Sequence, residues 1–141
     1  MSVPVNYHAI LVAAFASIVL GFLWYGPFFG KPWMKLMGIT KESMQGAKKD
    51  MTKTYALMIV TTLLTAYILS HLTVFATTYM NTSGVAGGLS SGFWIWLGIA
   101  VPLIMDGQLW EKKPWKLFYI NAGYRLASFL IMGAILAGWT M

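Results

Sequence analysis

Apolar residues in this chain run in long unbroken blocks, and the polar residues gather between the blocks. Four blocks stand out, over about 5–25, 55–76, 92–110 and 115–139. A hydrocarbon core ~30 Å thick needs about 20 helical residues at ~1.5 Å rise each, so every block is long enough to cross it. Membrane strands would alternate apolar and polar positions over about ten residues, and none of the blocks does. The pattern predicts an all-α integral membrane protein. It is expected to form a single domain over 1–141, with four transmembrane helices in an antiparallel up-down bundle.

The breaks between blocks carry their own signals. Pro27, Gly30 and Pro32 interrupt the first helix. Thr40 is then placed to cap a new helix with Glu42 in its first turn. Met44, Ala47, Met51, Tyr55 and Met58 fall on one face of that helix, with Glu42, Gln45, Lys49 and Lys53 elsewhere. The second span is thus expected to begin with a cytoplasmic amphipathic extension lying on the headgroups, with docking of a partner as the alternative. Residues 28–37 form a similar interfacial piece. The stretch 81–92 is Gly/Ser-rich and uncharged, which predicts a flexible connection.

Charge fixes the orientation of this arrangement. Lys31, Lys35, Lys48, Lys49 and Lys53 lie between the first two blocks, and Lys112, Lys113 and Lys116 between the last two. The remaining loop and the N-terminal segment carry no charged side chain. Alternate loops are therefore basic and neutral, and the positive-inside rule puts both lysine loops in the cytoplasm and both termini outside. Trp24, Tyr25, Trp33, Trp110 and Trp115 fall at the inner ends, and Tyr7, Tyr79, Trp94 and Trp139 at the outer ends, as interfacial belts would.

Composition narrows the class. Hydrophobic residues make up 58% and charged ones 10%, against roughly half and a quarter in soluble domains. The net charge of +6 flanks apolar spans, so the expected partners are anionic lipid headgroups and not nucleic acid. Cysteine is absent, which excludes disulfides and thiolate chemistry. The N-terminus lacks the basic region of a signal peptide, so the first span is expected to be retained, in a membrane of the bacterial inner type.

Ionisable groups at membrane depth are the first place to look for function. Asp106 lies near the inner end of the third span, one turn beyond Pro102, where a kink is expected because proline removes a donor and crowds the carbonyl of Gly98. On the fourth span Asn121, Arg125 and Ser128 form a polar stripe. A hairpin about Lys113 brings Asp106 within reach of Arg125, as a polar relay or as a lock between two helices. His8 and His71 sit at outer helix ends and read as interfacial, so no metal or cofactor is expected. No nucleophile elbow and no paired carboxylates occur, which points to a non-enzymatic protein.

Small residues suggest close helix approach. Ala9, Ala13, Ser17 and Gly21 form a four-spaced stripe on the first span, and Gly133 with Ala137 and Ala134 with Gly138 do so on the fourth. These faces serve packing within one chain, or between copies and other membrane subunits. The inner ends of the first and third spans also share wording: Gly21 to Trp24 with Lys31-Pro32-Trp33, and Gly107 to Trp110 with Lys113-Pro114-Trp115. Duplication of a hairpin and convergence at inner helix ends explain this equally well.

The Trp24-Tyr25-Gly26-Pro27 block, with Phe29-Gly30-Lys31, Trp33-Met34 and Gly38-Ile39-Thr40, resembles the DUF1761 family of small multi-span membrane proteins of unknown function. Gly123-Tyr124, Leu126, Met132 to Leu136 and Trp139 extend the resemblance over nearly the whole chain. It implies the multi-span fold and no established activity. The family pattern often places histidine at Arg125, which puts a relay role at that position in doubt here. The reading from sequence is an association protein, acting as a homo-oligomer or accessory subunit. The alternative is a small ion or solute channel or transporter, oligomerised around Asp106, Asn121 and Arg125.

Overall fold

The computed structural model describes residues 5–38, 51–79 and 84–139. Among these it is helical with no strand, and four helical stretches are long and apolar enough to cross a membrane: Tyr7–Phe28, Thr52–Tyr79, Gly84–Trp110 and Trp115–Gly138. The predicted amphipathic segment, with Lys48 and Lys49, falls mostly on 39–50 and lies outside the described residues.

The first stretch starts at Asn6, whose side-chain oxygen accepts from the amides of His8 and Ala9 at 3.0 and 3.3 Å and so satisfies orphan donors of the first turn. Helix α1 (Tyr7–Leu23) runs into a π-helical turn over Trp24–Phe28 that contains Pro27. Phe29 leaves helical geometry, and α2 (Gly30–Met37) follows and stops at Gly38, whose φ of 70° is left-handed. Helix α3 is Met51–Tyr79. Helix α4 (Gly84–Ile95) enters a second π turn, Trp96–Ala100, and continues as α5 (Val101–Trp110). Helix α6 is Trp115–Gly138.

Both π turns have a proline to account for them. Pro27 and Pro102 have no amide hydrogen, so the α-helical ladder is interrupted beside each. The backbone closes the gap with a bond from one residue further on: Phe29 N–H to the Trp24 carbonyl at 2.8 Å, and Val101 N–H to the Trp96 carbonyl. The kink expected at Pro102 therefore takes the form of a widened turn on its N-terminal side.

Helix α6 touches every other helix and organises the fold. It runs antiparallel to α1, as three contacts along its length establish. The Asn6 amide reaches the Trp139 carbonyl, Ser17 meets Ser128, and Trp24 meets Ile120. It also runs antiparallel to α4, where Gly88 faces the backbone of Gly133 and Gly92 that of Phe129. The helix over 84–92 corrects the expectation of a flexible connection there and of a third span starting at 92, while 81–83 lie outside the described residues. Glycine disfavours helix in water, but here Gly87, Gly88 and Gly92 are buried, and their missing side chains let two backbones meet.

An apolar core of Val5, Ala9, Ile10, Ala13, Ala14, Ala66, Leu69, Met132 and Leu136 fills the half of the molecule near the chain termini. The other end carries Lys31 and Lys35 on α2 and the turn Glu111–Pro114 between α5 and α6. That turn is held by a Lys113–Glu111 ion pair at 2.9 Å. It is held also by the buried Gln108 amide, which in its satisfied orientation donates to the Lys113 and Pro114 carbonyls at 2.7 and 2.8 Å. Lys31, Lys35, Lys53, Lys112, Lys113 and Lys116 are all exposed.

Candidate functional site: a polar cleft around Arg125

The polar groups of α1 and α6 meet along one seam. At its deep end Ser17 and Ser128, both buried, share a 2.6 Å hydrogen bond. One turn nearer the lysine end, the Tyr124 hydroxyl donates to the Ser17 carbonyl at 3.2 Å, and a side chain on Gly21 would press on that hydroxyl. Next, the Trp24 indole N–H donates to the Ile120 carbonyl at 3.0 Å, against the open side of Gly123. Finally the Tyr25 hydroxyl donates to the Asn121 side-chain oxygen at 2.7 Å. On the opposite flank Trp96 donates to the Ala122 carbonyl at 2.8 Å. In lipid, where water cannot satisfy these groups, such bonds fix the helices' rotation and height.

Arg125 stands beside this seam. Its guanidinium lies 5.3 Å from the centre of the Tyr124 ring, within cation–π range. Counting from Trp115 at ~1.5 Å per residue, it sits roughly 15 Å into a core about 30 Å thick. Arg125 is exposed on the protein surface, and among the described residues it has no ion-pair partner. Asp106 is likewise exposed and unpaired, so the two form no ion pair, although both line one cavity.

Two cavities meet at Arg125. One, of about 600 Å³, opens at the lysine end and is lined by Asp106, Asn121, Arg125, Glu111 and Lys113. The other, of about 490 Å³, lies between α1, α3 and α6 and runs from Tyr55 and Met58 to Thr65. Tyr25, Trp33 and Arg125 belong to both, so these three form the wall between them. Among the described residues Arg125 is the one ionised group lining the second cavity. Its threonines are occupied: Thr61 and Thr62 donate to the Met58 carbonyl and Thr65 to that of Thr61.

The polar cluster read from the sequence thus divides. Asp106, Asn121 and Arg125 share a cavity, whereas Ser128 is buried deeper and is spent on Ser17. The small-residue faces are used inside the chain. Ala9, Ala13 and Ser17 are buried, Gly21 abuts Tyr124, and Gly133 and Ala137 receive Gly88. Tyr25, Trp33 and Tyr124 were absent from the predicted site. The signal for them was present, since aromatic hydroxyl and indole groups flank the Arg125 stripe, but it coincides with that of an interfacial belt. Trp110, Trp94 and Tyr79 by contrast stand exposed, at 83%, 62% and 84%. Trp24 therefore docks on α6 while Trp110 faces outward, so the two similar lysine-end segments do different work.

A family model described as "Protein of unknown function (DUF1761)" matches residues 8–137. No curated protein and no solved structure matches the chain.

Proposed function

We propose a function from one premise: the chain belongs to the DUF1761 family, itself of unknown function, so the reading rests on its own residues. The protein acts without covalent chemistry, as a membrane-embedded binding and transport unit for an anionic solute. It sits in a bacterial inner membrane with both termini outside, and the solute enters from the cytoplasmic lysine end. The single observation behind this is Arg125, a cation near the bilayer centre that faces two cavities and has no carboxylate bound to it among the described residues. Placing such a group costs ~2.5–3.5 kcal/mol on insertion scales, a cost that an anionic ligand offsets. Asn121 and Asp106 set the selectivity of the lysine-end cavity. Toward the termini the apolar core closes the bundle, so passage through one copy needs rearrangement, or a path between copies.

The test is proteoliposome transport of two probes, radiolabelled glycerol phosphate and fluorescent phosphatidylglycerol. At least one is expected to cross about tenfold faster than in protein-free vesicles, with Arg125→Ala returning it to background, a loss of ~1.4 kcal/mol or more. Equal rates with and without protein for both probes end the transport reading. A second reading, association as a homo-oligomer or accessory subunit, draws on the outward ridge of α3. There Leu57, Val60, Leu64 and Ile68 are 54, 60, 59 and 49% exposed at helical spacing. Native mass measurement after gentle extraction tests it, and a strict monomer without companions counts against it.

A further inference from the structure

We infer that the cavity between α1, α3 and α6 binds an anionic phospholipid of the surrounding membrane, headgroup at Arg125 and acyl chain along α1 and α3. This rests on the reading of Arg125 as a ligand-contacting group and names the ligand's class. Chemistry at the two ends of the cavity is different. Near the lysine end stand the Arg125 guanidinium, the Trp33 indole and the Tyr55 hydroxyl. Neither Trp33 nor Tyr55 has a hydrogen-bond partner among the described residues, so both retain a donor for a phosphate oxygen. Further along, Ile18, Met58 and Met132 offer an apolar surface with flexible methionines suited to a disordered chain, and the hydroxyls of Ser17 and the lining threonines are already bonded within the chain.

Charge complementarity selects the occupant. Among the described residues Arg125 is the ionised group in this cavity, and Asp106 and Glu111 line only the other one. A guanidinium matches phosphate geometry with paired N–H donors, and in a low-dielectric site it is worth more than at a surface. A volume of about 490 Å³ is of ligand size. A soluble anion would leave the Ile18, Met58 and Met132 wall unfilled; a lipid without phosphate would leave Arg125 unpaired, and a zwitterionic one would bring its own cation beside the guanidinium. Only an amphiphile with an anionic head satisfies both ends.

The experiment is native mass spectrometry of the detergent-purified chain titrated with phosphatidylglycerol, phosphatidylcholine and glycerol phosphate. Wild type is expected to prefer phosphatidylglycerol over phosphatidylcholine by at least about fivefold, the effect of one basic residue on an anionic head. Arg125→Ala removes the preference and Arg125→Lys keeps much of it, which separates charge loss from misfolding. Met58→Trp, which fills the chain groove and leaves Arg125 in place, weakens phosphatidylglycerol binding without touching that of glycerol phosphate. Equal binding of both lipids, a preference surviving Arg125→Ala, or a lipid-free dimer that excludes lipid overturns the inference. If glycerol phosphate binds as tightly as the lipid, the inference falls while an Arg125 site for soluble anions stands. If no anion binding depends on Arg125, both fall.

Discussion

A methyl group added at Gly88 would run into the carbonyl of Gly133 and, at 2.9 Å, the Cβ of Ala137. The atoms met are backbone, so they cannot swing aside, and α4 would have to part from α6. Gly88→Ala is expected to destabilise the protein by ~1–3 kcal/mol, the range for overpacking a filled interior. Gly98→Ala is the matched control, because nothing lies within 4 Å of the added group, and it should change stability by no more than about 0.5 kcal/mol. Denaturation in mixed detergent micelles measures both; equal effects would mean that α4 and α6 do not meet at Gly88. The same scale shows what Ser17 and Ser128 have in common. Sequence places one on a small-residue packing face and the other in a polar stripe. Each is small enough to be buried and polar enough to need a partner, and only the pairing of α1 with α6 reveals that they satisfy each other.

Two elements, the π turns, repeat a device at either flank of α6. Each opens on a tryptophan, Trp24 or Trp96, has a proline in or just past it, and aims an indole N–H at an α6 carbonyl two residues from the other's target. Those carbonyls can accept a second bond because each has two lone pairs. Trp24→Phe and Trp96→Phe keep an aromatic ring and remove the donor, so each is expected to cost ~0.5–1.5 kcal/mol. Tyr119, 68% exposed, provides a comparison in Tyr119→Phe, whose lost hydroxyl has no partner among the described residues and should be near neutral. If Trp24→Phe and Trp96→Phe matched that neutral control in thermal unfolding, the indole bonds would not be holding α6. Helices were legible in the sequence because apolar block length is imposed by the bilayer itself. The start of the third was not, since the glycines that weaken a helix in water are the ones that seat α4 on α6. Trp24 was hidden for a similar reason: an interfacial tryptophan and a docked one look alike until the partner helix is in place.

At the scale of the whole molecule the two ends differ in kind. The half near the termini holds the apolar core, and the lysine half holds two cavities joined at Tyr25, Trp33 and Arg125. Sequence placed Asp106, Asn121 and Arg125 in one region because helical spacing is fixed. It could not supply the cavity's aromatic wall, which depends on where the π turn and α2 carry Tyr25 and Trp33. Which side of the membrane the cavities face follows from the lysines, if the positive-inside rule holds for this chain. The absence of cysteine makes that directly measurable, because any introduced thiol is unique. Tyr79→Cys marks the end of α3 near the termini, at 84% exposure, and Lys113→Cys marks the turn between α5 and α6. The Lys113 ion pair is exposed, so its removal costs no more than ~1 kcal/mol and leaves the fold intact. In spheroplasts with an intact inner membrane, a membrane-impermeant maleimide should label Tyr79→Cys at once and Lys113→Cys only after permeabilisation. The reverse order would turn the Arg125 cavities toward the outside, and a ligand would then have to reach them from that face.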